Sequence, residues 1–134
     1  MAPSSVNKKI LIVDDDKFLL DMYSIKFSEH GFDLRSAGSG QEALKQVEGD
    51  WHPDIYLVDI IMPTMDGFQL IEELKRLGRR AGSALVVLSN LGQKEDIEKA
   101  LALGVDGYII KASSTPSEVV AKVSEISEHL GGQS

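Results

Sequence analysis

The sequence contains no cysteine among its 134 residues. This absence excludes disulfide bonds, thiolate metal sites and cysteine nucleophiles. The sequence also lacks any apolar run close to the roughly 18 residues that a membrane-spanning helix requires. Its N-terminus does not have the pattern of a secretory signal, because the short apolar run Ile10–Val13 stops at three aspartates. We therefore expect a cytoplasmic protein without membrane association.

Positive charge is also scarce, since 14 lysines and arginines face 21 aspartates and glutamates and the formal net charge is −7. Such a surface repels nucleic acid phosphates, so we expect no direct binding of nucleic acid. The apolar fraction is 43%, which is enough to build a hydrophobic core. A chain of this length predicts a single domain.

Short apolar runs alternate with segments of helical periodicity along the whole chain. The runs have the length and composition of strands that are buried on both faces of a sheet. The predicted strands are Lys8–Val13, Phe32–Ser36, Ile55–Val58, Ala84–Leu88 and Gly107–Ile110. The first predicted helix ends near His30 and Gly31, and its apolar side consists of Leu19, Met22, Tyr23 and Phe27. The other four predicted helices are Gln41–Glu48, Phe68–Leu77, Glu95–Leu103 and Pro116–Leu130.

This alternation predicts an α/β fold, in which a five-stranded parallel sheet has right-handed crossovers and helices on both faces. We expect one domain over residues 8–130, preceded by an N-terminal tail at 1–7 and followed by a C-terminal tail at 131–134. In open sheets of this kind the functional crevice lies at the carboxyl ends of the strands.

Polar residues follow four of the five predicted strands. They are three carboxylates, one hydroxyl and one amine that we expect to share one edge of the sheet: Asp14, Asp15, Asp59, Ser89 and Lys111. Two carboxylates about 4 Å apart repel by about 4 kcal/mol at an effective dielectric constant near 20, so the group requires a cation. Hard oxygen ligands without sulfur or histidine favour Mg²⁺, with Mn²⁺ as a substitute.

The same residue types suit phosphoryl transfer. An aspartate can attack phosphorus and form an aspartyl-phosphate. The amine of Lys111 can pair with a carboxylate before the reaction and with the phosphoryl group after it. The hydroxyl of Ser89 can donate a hydrogen bond to a phosphoryl oxygen.

Four segments together resemble the receiver domains of two-component response regulators. These segments are Ile10–Asp16, Asp54–Gly67, Leu85–Ser89 and Gly104–Lys111, and the resemblance covers about residues 8–130. It implies a flavodoxin-like doubly wound sheet with the strand order 2-1-3-4-5. It also implies roles for individual residues: Asp59 as the phosphoacceptor, Asp14, Asp15, Asp59 and the backbone carbonyl of Ile61 as Mg²⁺ ligands, Ser89 and Lys111 as phosphoryl-binding residues, and Ser89 and Tyr108 as the switch pair.

The resemblance further implies a phosphorelay signalling protein that catalyses its own phosphorylation and dephosphorylation, and not a turnover enzyme on an external substrate. Its phosphodonor would be a phosphohistidine on a histidine kinase or on a histidine phosphotransfer protein. The output would be a changed surface on the fourth helix, fifth strand and fifth helix. The downstream protein target is not identified by the sequence, and we expect a monomer or a weak homodimer.

The sequence departs from the family pattern at two positions beside the site. Asn90 follows Ser89, where the family commonly has alanine, and Ala112 follows Lys111, where the family usually has a cis proline. We expect Asn90 either to narrow the approach of the donor or to hydrogen-bond the phosphoryl group. A cis Lys111–Ala112 bond would cost about 2.5–4 kcal/mol. Two alternatives therefore stay open: the loop contains this strained cis bond, or a trans bond places Lys111 differently.

Apolar residues occupy two positions that the resemblance places next to the phosphoryl group. They are Ile61 and Leu91. Apolar side chains there would exclude an attacking water, which predicts a long-lived aspartyl-phosphate.

Three alternative functions stay open. A pseudo-receiver would bind a protein partner without being phosphorylated. Asn90 and Ala112 keep this alternative open, although the presence of all five site residues argues against it: Asp14, Asp15, Asp59, Ser89 and Lys111. A Mg²⁺-dependent phosphohydrolase would need a second acid two residues after its nucleophile, where this chain has Ile61. A flavin-binding domain would need a phosphate-binding loop after the first strand, where aspartates would repel the phosphate.

Overall fold

Five parallel strands form one sheet in the order β2-β1-β3-β4-β5. The computed structural model describes residues 8–131. The strands are β1 Lys9–Val13, β2 Asp33–Ala37, β3 Ile55–Val58, β4 Ala84–Ser89 and β5 Gly107–Ile110. The helices are α1 Lys17–Glu29, α2 Gly40–Gln46, α3 Gly67–Arg76, α4 Lys94–Ala102 and α5 Pro116–Gly131. The predicted fold class and strand order are confirmed.

Helices cover both faces of the sheet, and each face has its own core. On one face, buried residues of α1 and α5 pack against β1, β3 and β4. On the other face, buried residues of α2, α3 and α4 pack against the opposite side chains of the same strands. All residues of β3 and β4 are buried, which explains why their sequences are continuous apolar runs.

Some predicted boundaries and side-chain orientations are wrong. The second strand is Asp33–Ala37 rather than Phe32–Ser36, because Phe32 leaves the ladder and packs edge-on against Phe27 at 5.1 Å between ring centroids. In α1 it is Leu20 that is buried, whereas the predicted Leu19 is only partly buried.

Two further predictions concern the ends of the chain. Helix α5 includes Gly131, one residue beyond the predicted end. The predicted N-terminal tail, residues 132–134 and the side chain of Leu130 lie outside the described residues.

Capping residues fix where the helices begin and end. Asp16 caps α1 by accepting a hydrogen bond from the N–H of Leu19. Asp66 and Gln69 form a reciprocal capping box at the start of α3. Gly31 and Gly104, which follow α1 and α4, have positive φ angles of 88° and 87°, a conformation that glycine adopts without strain.

No helix in the described part of the chain is long and apolar enough to cross a membrane.

Candidate functional site

The sheet register places two aspartates side by side at its carboxyl edge. Val13 of β1 is paired with Val58 of β3, so Asp14 and Asp59 follow the last paired residues of two adjacent strands. The N–H of Asp59 donates to the carbonyl of Val13 at 3.0 Å, which continues the ladder by one residue. Both aspartates are nearly buried, with exposed fractions of 2% for Asp14 and 6% for Asp59.

The ammonium group of Lys111 bridges these two carboxylates. Its Nζ lies 2.7 Å from Oδ2 of Asp14 and 2.9 Å from Oδ2 of Asp59. Only 8% of the lysine side chain is exposed. The predicted convergence of strands one, three and five on one crevice is therefore present in the structure.

Burial and pairing act in opposite directions on the titration of this cluster. Burial raises the pKa of Asp14, and the hydrogen bonds from Lys111 and from the N–H of Asp16 offset only part of that rise. For Lys111, burial alone would lower the pKa, but the hydrogen bonds to Asp14 and Asp59 outweigh it, so the pKa is raised. Lys111 is accordingly a charged ammonium at neutral pH, and it neutralises part of the acidic cluster.

A third carboxylate completes a group that fits a divalent cation. One oxygen each from Asp14, Asp15 and Asp59 lies within 4.8 Å of the others. Asp15 is exposed, so the cluster is open to solvent on its side, and Asp14 and Asp15 also line a cavity of about 290 Å³. An all-oxygen, all-carboxylate donor set suits Mg²⁺. The backbone of Ile61 also reaches the cluster, because its N–H donates to Oδ1 of Asp59 at 3.3 Å.

The two predicted switch residues share one neighbour. Ser89 is fully buried at the end of β4, and its Oγ accepts a hydrogen bond from the N–H of Leu91 at 3.3 Å. The hydroxyl of Tyr108 donates to the carbonyl of Leu91 at 2.6 Å. Tyr108 is half-buried, and burial raises the pKa of its hydroxyl. The backbone of Leu91 thus connects the hydroxyl residue with the aromatic residue.

The Lys111–Ala112 bond follows the trans path. No cis peptide bond occurs in residues 8–131, and Lys111 begins a short 3₁₀ turn, Lys111–Ser113, that the sequence did not predict. Asn90 accepts a hydrogen bond from the N–H of Ala112 through Oδ1 at 2.8 Å. The lysine therefore reaches the aspartates without a cis bond.

Gly67, the first residue of α3, lies directly against the backbone that carries Asp59. A Cβ atom on Gly67 would lie 2.3 Å from the carbonyl oxygen of Asp59 and 2.7 Å from the Cα of Ile60. The N–H of Gly67 donates to the carbonyl of Ile60 at 2.8 Å. The start of α3 thus packs directly on the backbone of Asp59. In the sequence, the Asp66–Gly67 pair is the feature that could have indicated this close packing.

The fold and this crevice define a doubly wound α/β protein with an acidic cluster and a bridging lysine at the carboxyl edge of its sheet. The sequence model of the response regulator receiver domain matches residues 10–124. The chain belongs to the response regulator receiver domain family.

Curated relatives include both short and long regulators. The chain is 32% identical over 120 residues to the chemotaxis protein CheY of Halobacterium salinarum, with 89% of this chain and 96% of that protein aligned. It is also 32% identical over 121 residues to PhoP of Bacillus subtilis, the alkaline phosphatase synthesis transcriptional regulatory protein, with 90% of this chain and 49% of PhoP aligned. The chain thus spans about half the length of PhoP.

Solved structures agree with the family assignment. A CheY-like receiver domain protein from Methanospirillum hungatei superposes with a TM-score of 0.86 at 28% identity, covering 96% of this chain and 99% of that one. The receiver domain of the Francisella response regulator 1452 has a TM-score of 0.82 at 29% identity, with 92% and 99% covered.

Receiver domains are signalling modules rather than turnover enzymes, and they bind Mg²⁺ through an acidic aspartate cluster such as Asp14, Asp15 and Asp59. The family assignment does not favour the phosphohydrolase and flavin-binding alternatives. The pseudo-receiver alternative concerns phosphorylation itself, and family membership alone does not decide it.

Proposed function

We propose that residues 8–130 form a phosphoacceptor domain in which Asp59 takes a phosphoryl group from a phosphohistidine. The donor is a histidine kinase or a histidine phosphotransfer protein. The observation that carries this proposal is the bridging position of Lys111, whose Nζ lies 2.9 Å from Asp59 and 2.7 Å from Asp14. A buried cation held by two carboxylates is already where a transferred phosphoryl group would need it.

In the transfer, a carboxylate oxygen of Asp59 attacks phosphorus and the P–N bond to the donor histidine breaks. The electron pair of that bond stays on the imidazole nitrogen, and the product is an aspartyl-phosphate. Lys111 then pairs with a phosphoryl oxygen instead of the Asp59 carboxylate, and the hydroxyl of Ser89 donates to another. Asp14, Asp15, Asp59 and the carbonyl of Ile61 would hold Mg²⁺, which when bound would neutralise charge on the group being transferred.

The signal leaves the site through the loop after β4. When Ser89 turns toward the phosphoryl group, its hydrogen bond to the N–H of Leu91 changes, and Leu91 also holds the hydroxyl of Tyr108. Tyr108 lies on β5, so the surface formed by α4, β5 and α5 responds. This surface would bind the downstream protein target.

The remaining expectations belong to the same proposal. The protein acts in the cytoplasm as a monomer or weak homodimer, without direct nucleic acid binding, which agrees with its net charge of −7.

Intact mass measurement tests the proposal. The protein is incubated with a small acyl-phosphate donor and with phosphohistidine donors, each with Mg²⁺ and with chelator, and Asp59→Asn serves as the control. We expect one added phosphoryl group that requires Mg²⁺ and is absent from the variant. If no donor of either kind labels the wild type, the chain is a pseudo-receiver and the proposal is wrong.

A further inference from the structure

The two residues that depart from the receiver-domain pattern contact each other. Oδ1 of Asn90 accepts the N–H of Ala112 at 2.8 Å, although the two residues are 22 positions apart in the chain. Proline at position 112 would have no N–H to donate, and alanine at position 90 would have no side-chain acceptor. The hydrogen bond therefore exists only because both residues differ from the family pattern.

This hydrogen bond lies just beyond the end of the pairing between β4 and β5. The last paired residues of β4 and β5 are Ser89 and Ile110. Asn90 and Ala112 lie just beyond that pair, so the side chain of Asn90 joins the two segments after the backbone ladder has stopped. The bond is directly adjacent in sequence to Ser89 and Lys111, the two residues that would hold the phosphoryl group.

The bond also satisfies a backbone donor that the short turn leaves open. Ala112 is in the first turn of the 3₁₀ segment Lys111–Ser113, where an N–H group has no partner within the helix. The residue that precedes the turn, Ile110, makes no side-chain capping bond. Asn90 provides the cap from the neighbouring loop and so fixes the backbone at the base of the lysine side chain.

We propose that Asn90 is a positioning residue for Lys111, and that the Asn90–Ala112 hydrogen bond fixes the backbone from which the lysine reaches Asp59. This inference rests on the proposed function, because its purpose is to place Lys111 for phosphoryl transfer. A lysine side chain has four rotatable bonds, so a Nζ that contacts both Asp14 and Asp59 depends on a fixed backbone.

A double-mutant cycle tests this role with Asn90→Ala, Ala112→Pro and the double variant. Three quantities are measured on each variant of the 134-residue chain: the rate of phosphorylation by a small acyl-phosphate at saturating Mg²⁺, the affinity for Mg²⁺ by calorimetry, and the exchange rate of the Ala112 amide where residue 112 is alanine. Ser113→Ala is the matched control, because it removes another exposed hydrogen bond of the same turn, from Ser113 Oγ to the carbonyl of Ile110.

We expect Asn90→Ala to speed Ala112 amide exchange and to slow phosphorylation, each by about 3- to 10-fold, the factor that one hydrogen bond supplies. The affinity for Mg²⁺ should stay within about twofold, since neither residue is a ligand. The double variant should be phosphorylated faster than the product of the two single effects predicts, because each single change removes the same hydrogen bond. Ser113→Ala should leave the phosphorylation rate unchanged.

Three results would overturn the inference. If the wild type is phosphorylated and Asn90→Ala matches it in rate, or if the two single effects multiply without coupling, Asn90 has no positioning role although the proposed function stands. If the wild type is not phosphorylated by any donor, the proposed function fails, and the Asn90–Ala112 bond is only structural even where amide exchange shows that it forms.

Discussion

Replacing Lys111 by methionine would show how much the lysine stabilises the fold by offsetting the repulsion between Asp14 and Asp59. In the wild type one buried ammonium contacts both Asp14 and Asp59. Lys111→Met keeps most of the apolar side chain but removes the charge, so two nearly buried carboxylates face each other. We expect the variant to fold, to bind Mg²⁺ and to lose stability when the metal is chelated.

The magnitude follows from losing both ion pairs of Lys111, which leaves the repulsion between the two carboxylates without compensation. Their oxygens lie within 4.8 Å, and at 4.8 Å two unit charges repel by about 3.5 kcal/mol at an effective dielectric constant near 20. This agrees with the roughly 3–5 kcal/mol lost when one partner of a buried ion pair is removed. We therefore expect Lys111→Met to lower the free energy of unfolding by about 3–4 kcal/mol in chelator near neutral pH.

The pH dependence has a definite sign. Burial already raises the pKa of Asp14 above its ordinary value of 3.8, and removing the lysine raises it further. A carboxyl group whose folded pKa is raised destabilises the fold above that pKa, and the penalty disappears as the pH falls toward the unfolded value. The loss of stability in Lys111→Met should therefore be large at neutral pH and small near pH 4.

Urea denaturation followed by circular dichroism measures the effect, in chelator and in excess Mg²⁺. Adding Asp59→Asn to Lys111→Met should recover most of the lost stability, because it removes one of the two facing charges. Lys122→Met is the matched control, since Lys122 is exposed and its Nζ contacts only the hydroxyl of Ser114 among the bonds described. A loss below about 1 kcal/mol, or one that Asp59→Asn does not relieve, would refute the reasoning.

Three further predictions concern lifetime, titration and packing. The double variant Ile61→Asn, Leu91→Glu should lose its aspartyl-phosphate faster than the wild type in a decay assay, since polar side chains admit water; an equal or slower decay would contradict this. Burial raises the pKa of Tyr56 to about 12, so the phenolate that forms last in an absorbance titration of the wild type should be missing in Tyr56→Phe. The contribution of Tyr56 to the stability of the wild type should be lost as the pH rises above about 10, the ordinary pKa of tyrosine. Gly67→Ala should cost about 1–3 kcal/mol and slow phosphorylation, because its Cβ would displace the backbone of Asp59; a variant of wild-type stability and rate would show that the loop yields without cost.

The fold was predictable because buried parallel strands leave a clear trace in the sequence. The strands β3 and β5 were predicted at their observed bounds, since each is a short apolar run that ends in polar residues. The edge strand β2 was shifted by one residue, because Phe32 is apolar but belongs to the core beside Phe27. Apolarity alone does not separate a residue in the ladder from one packed beneath it.

The acidic part of the site was predictable for a related reason. The carboxyl ends of parallel strands meet at one edge, so Asp14, Asp59 and Lys111 could be brought together from their places after three strands. The contact between Asn90 and Ala112 could not, because it joins two exposed loop residues 22 positions apart through a side chain. Loop contacts of that kind have no periodicity in the sequence.

The connection through Leu91 is made entirely by main-chain atoms. Its N–H reaches Ser89 and its carbonyl accepts from Tyr108, so any non-proline residue at this position retains both groups. In the proposed mechanism the side chain at position 91 sets how long the aspartyl-phosphate lasts, while the main chain of the same residue connects Ser89 with Tyr108. A substitution at position 91 could therefore change the lifetime of the aspartyl-phosphate and leave the connection between Ser89 and Tyr108 intact.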